Sequence, residues 1–303
     1  MRWEDKRRSD NIEDRRGQTP MRAGSGSSGM ALRFLPLLIQ KLGFRGMLLV
    51  GAGLFIAAQM GIDIPALLFG TPTTSTTQQS TRTVSAEEQR LADFTAVILA
   101  DTEQTWTDLF AQQGQDYPEP TLVLFTGAVQ SACGFAEAAM GPFYCPGDQK
   151  VYIDLSFYND LKTRHGAPGD FAQAYVIAHE VGHHLQTVLG ISSKVHQQKQ
   201  RASQAEANQL SVRQELQADC LAGVWGYHAD RGRQMLEEGD VEEALVAAAA
   251  IGDDRLQKQA RGYVTPESFT HGTSEQRIRW FKTGMESGNP DRCDTFAVAA
   301  ADL

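Results

Sequence analysis

Phe171-Ala-Gln-Ala-Tyr-Val-Ile-Ala-His-Glu-Val-Gly-His-His-Leu-Gln-Thr-Val-Leu189 is the stretch around which the rest of the chain is organised. Its pattern predicts a helix on which His179 and His183, four residues apart, project from one face. Two imidazoles so placed can bind one tetrahedral zinc ion, and Glu180 can act as general base for a water activated by the metal. The apolar residues before His179 would bury this helix, and buried imidazoles need polar partners. The stretch therefore predicts a zinc site rather than a chance HExxH match.

A catalytic zinc site normally has three protein ligands, so a third must come from elsewhere in the chain. Downstream, Val212-Arg-Gln-Glu-Leu-Gln-Ala-Asp219 continues a helical pattern in which Glu215 and Asp219 are again four residues apart. This ExxxD spacing resembles the second helix of the gluzincin metallopeptidases. The resemblance implies that Glu215 is the third ligand and that Asp219 accepts the second ring N–H of His179. The alternative is a solvated pair of carboxylates on a helix face.

Composition and charge bound the class of protein. The 303 residues are 42% hydrophobic, which is enough for a real core, and the formal net charge of −9 argues against a nucleic-acid partner. The first 45 residues hold ten basic and five acidic side chains, so they carry +5 and the remainder carries −14. We expect residues 1–41 to be a flexible basic tail, because residues 1–30 are too polar and glycine-rich to pack.

A transmembrane anchor is predicted at residues 42–62. The segment Gly46 to Ile62 has no charged side chain, and Leu42 to Ile62 nearly supplies the roughly 20 apolar residues that a bilayer core requires. A buried core helix or a cleaved signal peptide would be the alternatives, but a polar face is missing and a good cleavage site is not evident. The basic residues before the span predict a cytoplasmic amino terminus. Residues 63–83 would then be a Ser/Thr-rich linker, and residues 84–303 a catalytic domain on the outer side of the cell membrane, periplasmic or extracellular.

Within residues 84–303 the patterns predict helices and two strands. A helix should start after Ser85 and end near Gly114, and three further helical patterns cover residues 197–232, 241–259 and a stretch that begins at Thr273 or Ser274. Thr121-Leu-Val-Leu-Phe125 reads as a buried strand and Lys150-Val-Tyr-Ile-Asp-Leu155 as a second one. In zincins an edge strand in this second position lies along the cleft, where it can pair with an extended substrate.

Four cysteines in a domain outside the cytoplasm suggest disulfides. A Cys133–Cys145 bridge would close a short loop and contribute roughly 3 kcal/mol through loop-closure entropy. Cys220 could then pair with Cys293. The alternative, a cysteine-rich metal site, is not favoured because no CxxC spacing occurs.

The segment His271-Gly-Thr-Ser-Glu-Gln-Arg277 supplies a candidate for stabilising the transition state. Metallopeptidases commonly place a second donor opposite the metal, and His271 with Arg277 resembles the late His and Arg block of related membrane-bound metallopeptidases. We therefore predict that His271 is catalytic, with Tyr227 as the second candidate. The alternative is that His271 only begins a turn and that Arg277 pairs with a carboxylate.

The blocks that contain His179, Glu215 and His271, in this order, resemble the bacterial putative neutral zinc metallopeptidase family. The resemblance covers nearly the whole chain. It includes the segments Met1-Arg-Trp-Glu, Cys133-Gly-Phe and Gly141-Pro-Phe-Tyr-Cys-Pro146. The resemblance implies an α+β, zincin-like metallopeptidase fold, mostly helical with a small sheet and preceded by one transmembrane helix. It also implies a Zn2+-dependent endopeptidase that acts on peptide or protein substrates in the bacterial cell envelope. The alternative is a zinc-binding envelope scaffold without activity. A closed structural zinc site would need a fourth ligand, and His184 points about 100° away from His183 on a helix.

Overall fold

Residues 1–18 and 84–303 are described by a computed structural model, and together they form a helix-rich α+β unit with a small sheet. The strands are β1 (Ile12–Asp14), β2 (Thr121–Phe125), β3 (Ala128–Ser131), β4 (Gly134–Glu137), β5 (Phe143–Cys145) and β6 (Lys150–Asp154). The α-helices in these ranges are α1 (Ala86–Gln112), α2 (Ser156–Thr163), α3 (Asp170–Val188), α4 (Ile191–Lys199), α5 (Gln204–Arg231), α6 (Asp240–Ala250), α7 (Asp253–Arg261) and α8 (Ser274–Ser287). The expectation of a mostly helical α+β fold is therefore confirmed.

The main sheet has the strand order β1-β2-β6-β5, in which the first three strands are parallel and β5 runs antiparallel to β6. Both strands predicted from the sequence are present. The expectation that the second of them is the edge strand is wrong, because β5 covers its outer side. Since β5 has only three residues, its sequence could not display the alternation that identifies a strand.

Helix ends follow local sequence signals. Ser85 caps α1 by accepting the N–H of Glu88, and Ser203 and Thr273 each complete a capping box at α5 and α8. The single helix predicted over residues 241–259 is instead two helices, because Gly252 adopts an extended conformation between them. This break places the start of α7 beside the loop that precedes α8.

Glycines let the helices around the core approach closely. A Cβ added to Gly182 of α3 would lie 3.0 Å from the backbone of Ala218 in α5, and one added to Gly284 of α8 would lie 1.9 Å from the carbonyl oxygen of Cys220. Helix backbones can come this close only where no side chain intervenes. As a result, α3 lies against α5 at the level of Glu215 and Asp219.

Both predicted disulfides are present. Cys133, in the turn between β3 and β4, is bonded to Cys145 of β5, and Cys220 of α5 is bonded to Cys293 in a short turn after α8. The first bridge ties the β3–β4 hairpin to the edge of the main sheet. The second holds the carboxyl-terminal turn against the helix that carries Glu215.

The N-terminal segment, residues 1–18, packs against the rest of the unit, which corrects the expectation of a flexible basic tail for these residues. Trp3 is 7% exposed, and its ring meets that of Phe94 edge-on with centroids 5.3 Å apart. Strand β1 pairs in parallel with β2, so that Ile12 lies opposite Leu122. Composition gave no indication of this docking, because the partners lie far along the chain.

Polar groups of the N-terminal segment also find distant partners. The carboxylate of Glu103, whose residue is 1% exposed, accepts hydrogen bonds from Arg7, Ser9 and Asn11. The ammonium group of Met1 lies 3.0 Å from Asp170, the first residue of α3. The segment therefore contacts the start of the helix that carries the zinc motif.

The predicted membrane anchor at residues 42–62 and the linker at residues 63–83 lie outside the described residues. Within residues 1–18 and 84–303 no helix is both long and apolar enough to span a bilayer. The sheet, however, bears on the predicted orientation. A chain that crosses a membrane once between residues 18 and 84 would put β1 and β2 on opposite sides, whereas their pairing requires them on the same side.

Candidate metal centre

Helix α3 presents its three motif residues to one cleft. The helix is anchored by buried apolar side chains such as Phe171 and Ala178, while His179, Glu180 and His183 line the cleft. The predicted helix is thus confirmed, and its motif residues lie on the expected side. Because α5 is the neighbouring helix, Glu215 lines the same cleft.

The ligand atoms of His179, His183 and Glu215 all lie within 4.8 Å of one another. Nε2 of His179 is 3.2 Å from one carboxylate oxygen of Glu215, and Nε2 of His183 is 3.5 Å from the other. A tetrahedral zinc ion with nitrogen and oxygen ligands at about 2.0–2.2 Å holds those ligands roughly 3.3–3.6 Å apart. The three side chains therefore fit a zinc ion without rearrangement of the helices.

The ring of His179 is oriented by Asp219. Nδ1–H of His179 donates to Asp219 across 2.9 Å, which leaves Nε2 free to bind a metal. Asp219 is fully buried and accepts two further hydrogen bonds of 2.8 Å from Arg277, as well as one from the Tyr175 hydroxyl. Arg277 thus pairs with a carboxylate, which is the alternative that the sequence left open for it.

The ring of His183 is oriented by Gln186, a residue that the sequence reasoning missed. Nδ1–H of His183 donates to the Gln186 side-chain oxygen across 2.9 Å. The Gln186 amide in turn donates to the carbonyl of Gln214 and to the side chain of Gln217 on α5. The spacing in the sequence could have indicated this contact, because Gln186 lies three residues after His183 on the same helix and residues so spaced are neighbours.

Electrostatics at the centre reflect buried charges of both signs. Burial alone would raise the pKa of Glu215, but His183 and His179 hold it well below its usual range. Burial would likewise raise the pKa of Asp219, yet Arg277 and His179 keep it low. Conversely, burial would lower the pKa of His179, whereas Asp219 and Glu215 raise it to about 10. The ionised carboxylate of Glu215 beside two imidazoles forms a donor set that suits a divalent cation, and the ionised Asp219 supports it by accepting from His179.

Glu180 keeps its carboxylate available. The residue is 8% exposed, lines the cleft, and makes no hydrogen bond or ion pair with any residue in the described ranges. Its carboxylate is therefore open to the cleft rather than bonded to these residues, a position that suits a role in proton transfer.

His184 follows the motif but does not belong to the centre. Its Nδ1 accepts from the Tyr144 hydroxyl across 3.2 Å, and its Nε2–H donates to the carbonyl of Pro118. Both ring nitrogens are therefore used by the protein, as expected from its direction on the helix.

His271 lines the same cleft, and its side chain is 51% exposed. Asp253, at the start of α7, accepts the backbone N–H groups of Thr270, His271 and Gly272, and its carboxylate lies 3.3 Å from Nδ1 of His271. Asp253 raises the pKa of His271, and Glu215 does so more weakly, although burial opposes them. The structure thus brings His271 to the cleft, and Asp253 is a second residue that the sequence reasoning missed.

Tyr227, the second candidate for that role, lies elsewhere. Its ring packs against Gly288 and beside His228, and it is not among the described residues that line the cleft. The tyrosines that border the cleft are Tyr144 and Tyr175.

Comparison with known proteins gives the following relatives. The family described as putative neutral zinc metallopeptidase matches residues 1–296. The uncharacterized protein YpfJ of Escherichia coli (strain K12) is 53% identical over 296 residues, which are 98% of this chain and 99% of that protein. The uncharacterized protein Rv2575 of Mycobacterium tuberculosis (strain ATCC 25618 / H37Rv) is 45% identical over 197 residues, 62% of this chain and 65% of that protein. No solved structure matches the chain.

Proposed function

The chain belongs to the putative neutral zinc metallopeptidase family, and from that premise we propose that it is a zinc-dependent endopeptidase of zincin type. The observation that carries the proposal is the pairing of a three-ligand donor set with a buried carboxylate, Glu180, that has no hydrogen-bond partner among the described residues. A zinc ion held by His179, His183 and Glu215 would supply Lewis acidity and a readily deprotonated water at neutral pH.

The chain's own groups would carry the proton transfers. Glu180, which borders the cleft, takes a proton from the attacking water and passes it to the amine that leaves. His179 and His183 stay in their orientations because Asp219 and Gln186 hold their other ring nitrogens.

His271 is proposed to donate to the carbonyl oxygen of the scissile bond as negative charge builds there. Asp253 supports this role by fixing the loop and by raising the pKa of the imidazole, which favours the protonated donor form. Arg277 does not compete for the role, since its guanidinium is 2% exposed and is committed to Asp219.

An endopeptidase is favoured over an exopeptidase because the cleft extends on both sides of the centre. One cavity of about 590 Å³ and a second of about 600 Å³ share Tyr144, His183 and Glu215 in their walls. An extended peptide could therefore continue past the scissile bond in both directions. Among the described strands none covers the outer edge of β5, so this edge, whose Phe143 and Tyr144 border the cleft, could pair with the backbone of the peptide.

A zinc-binding scaffold without activity is the alternative. A structural zinc site is closed by a fourth protein ligand. His184 cannot serve, because both of its ring nitrogens are engaged by Tyr144 and Pro118. The open cleft and the available Glu180 carboxylate favour catalysis.

A cell-envelope location is also part of the proposal. Two disulfides support a location in an oxidising compartment, outside the cytoplasm. Membrane attachment through residues 42–62 remains a prediction from their apolar composition.

The test uses full-length protein, with zinc measured by elemental analysis and hydrolysis measured on a mixed library of quenched fluorescent peptides. We expect one zinc per chain and measurable hydrolysis in the wild type. Glu180→Gln should keep the zinc and lose hydrolysis by about 10²–10⁴-fold, because a general base has been removed. His183→Ala and Glu215→Ala should lose both. Glu242→Gln, an exposed carboxylate on α6, is the matched control and should behave as the wild type.

Zinc that binds normally in a wild type that hydrolyses no peptide would favour the scaffold. Loss of zinc in Glu180→Gln comparable with that in His183→Ala would contradict the roles assigned to these residues.

A further inference from the structure

The two halves of the cleft differ in how their charged side chains are paired. The half that includes His271 is bordered by large apolar side chains, among them Met140, Phe143, Phe157, Ile251 and Leu256, and by charged ones such as Asp160 and Arg164. The other half, here called the α4 subsite, lies between α4, α5 and the end of β5. Much of its wall is apolar as well, but the wall includes the polar or basic side chains Ser192, His196, Lys199 and Gln214. The two halves meet at His183 and Glu215.

Lys199, the last residue of α4, is the notable charge of the α4 subsite. It is half-buried, and its ammonium group forms neither an ion pair nor a hydrogen bond with residues 1–18 or 84–303. The half of the cleft that includes His271 also has an exposed cation, Arg164, but Arg164 pairs with Asp160 across 3.3 Å. The α4 subsite therefore contains a cation for which the described chain provides no counter-ion.

Glu215 is the carboxylate whose charge acts on Lys199, and it is already committed. Its two oxygens face His179 and His183, which is the arrangement of a metal ligand. Burial lowers the pKa of Lys199, and Glu215 opposes this without forming a pair. A cation that has lost part of its hydration and has no counter-ion gains more from an incoming anion than a fully solvated one does.

We propose that Lys199 is a specificity-determining residue that binds a carboxylate of the peptide substrate in the α4 subsite. This inference rests on the proposed peptidase function and names its substrate class, peptides with an apolar residue on one side of the scissile bond and a carboxylate on the other. The carboxylate can come from an Asp or Glu side chain or from a free carboxyl terminus, since Lys199 would bind either as a point charge.

The experiment compares matched quenched fluorescent peptides that carry Glu, Gln or Lys at successive positions on each side of the cleaved bond, each as a free acid and as an amide. In the full-length zinc-loaded protein we expect kcat/KM to be about 5- to 30-fold higher for Glu than for Gln at one position, as for an interaction of one to two kcal/mol. If the free acid is preferred over the amide instead, the carboxylate is that of the carboxyl terminus.

Variants assign this preference to Lys199. Lys199→Gln should reduce the Glu-to-Gln ratio to about one, Lys199→Arg should restore most of it, and Lys199→Glu should favour the Lys peptide. Lys194→Gln is the matched control, because Lys194 lies on the same helix, is exposed and does not border the cavity. It should keep both the activity and the ratio of the wild type. Raising the salt concentration should lower the ratio in the wild type, in Lys194→Gln and in Lys199→Arg, and should leave it near one in Lys199→Gln.

A Glu-to-Gln ratio that is unchanged in Lys199→Gln, with zinc content intact, would overturn the inference. Dissociation constants of the same peptides for zinc-loaded Glu180→Gln separate it from the proposed function. If the wild type cleaves nothing but binding still prefers the carboxylate through Lys199, the peptidase proposal fails and the subsite stands. If the wild type cleaves peptides without any preference for a carboxylate, the peptidase proposal stands and the role of Lys199 fails.

Discussion

Helices α3 and α5 and the N-terminal segment all contribute polar side chains to buried contacts, yet only the two helices could be located from the sequence. In α3 and α5 the functional side chains are four residues apart within one helix, so the spacing itself predicts a shared face. In the N-terminal segment the partners are distant, since 169 residues separate Met1 from Asp170 and 96 separate Arg7 from Glu103. Composition describes local preferences and contains no information on such long-range pairing.

The two regions also differ in what holds them. The metal centre depends on buried charges, and Asp219, Arg277 and Glu215 each compensate a neighbour. The N-terminal segment is held by strand pairing of β1, by the buried ring of Trp3 and by the buried acceptor Glu103. Its ion pairs range from the buried ammonium group of Met1 to exposed pairs such as Arg8 with Asp93. If the N-terminal segment is as integral to the unit as the metal centre, it must lie in the same compartment and stay docked when its surface charges are removed.

The largest effect is expected from an all-or-none test of sidedness. The native cysteines in the described ranges are all in disulfides, so a single introduced thiol reports its own location. We expect Asp5→Cys and Lys282→Cys, at two exposed positions, to react equally with a membrane-impermeant reagent added to intact cells that have a permeable outer layer. The reason is that β1 and β2 must lie in one compartment to pair.

Lysed cells, in which both thiols should react, provide the control. Reaction at Lys282→Cys with complete protection at Asp5→Cys would show a single crossing between residues 18 and 84. The N-terminal segment would then be separate from the unit in the cell, and the contrast between the two regions would concern different compartments.

The next largest effect is expected on kcat, from substitution of His271 in the cleft. We expect His271→Gln to retain zinc and lower kcat by about 10²–10³-fold, the usual cost of one oxyanion donor. The pKa of His271 is raised, chiefly by Asp253, so the donor stays protonated to higher pH than an ordinary imidazole would, and activity should fall as pH rises through that raised pKa. Asp253→Asn removes the first cause of the shift and should move this alkaline limb to lower pH.

The pH dependence of kcat/KM in the three proteins measures this effect, with zinc content as the check on folding. A His271→Gln variant that cleaves within a few-fold of the wild type and shows the same alkaline limb would remove His271 from the mechanism.

The sequence predicted most elements of the fold and the core of the candidate site for a common reason. Helix periodicity, the caps at Ser85 and Thr273, and the HExxH and ExxxD spacings all act within a few residues. What it missed depends on contacts between distant segments. Asp253 reaches His271 only because Gly252 ends one helix and begins another, and β5 becomes the edge strand only by pairing with β6.

A smaller effect is expected from the main apolar contact of the N-terminal segment. Trp3→Ala removes a 7% exposed ring from its contact with Phe94, and such truncations cost about 3–5 kcal/mol at well-packed sites. We expect the cost to appear as undocking of residues 1–18, seen as faster hydrogen exchange at the amides of Leu122 and Arg15, which join β1 to β2. Zinc content should not change, because Trp3 touches none of the ligands. In the control Trp3→Phe, which keeps most of the ring, these amides should exchange nearly as slowly as in the wild type. If they exchanged as slowly in Trp3→Ala as in the wild type, the ring would not hold the segment.

The smallest effect is expected at the exposed rim of the same segment, where Arg8 pairs with Asp93 across 3.1 Å with side chains 48% and 33% exposed. A solvated pair of this kind contributes about 0–1 kcal/mol, because hydration and salt compete with it. Arg8→Gln should therefore leave the exchange of the β1–β2 amides close to that of the wild type, and the remaining difference should vanish at high salt. Glu103→Gln provides the contrast, because its buried carboxylate accepts from three groups of the segment and its loss should expose β1 to exchange. If Arg8→Gln released the segment as completely as Trp3→Ala, docking would be governed by surface charge rather than by burial. In that case the basic composition of residues 1–18 would itself have been the signal for their place in the fold.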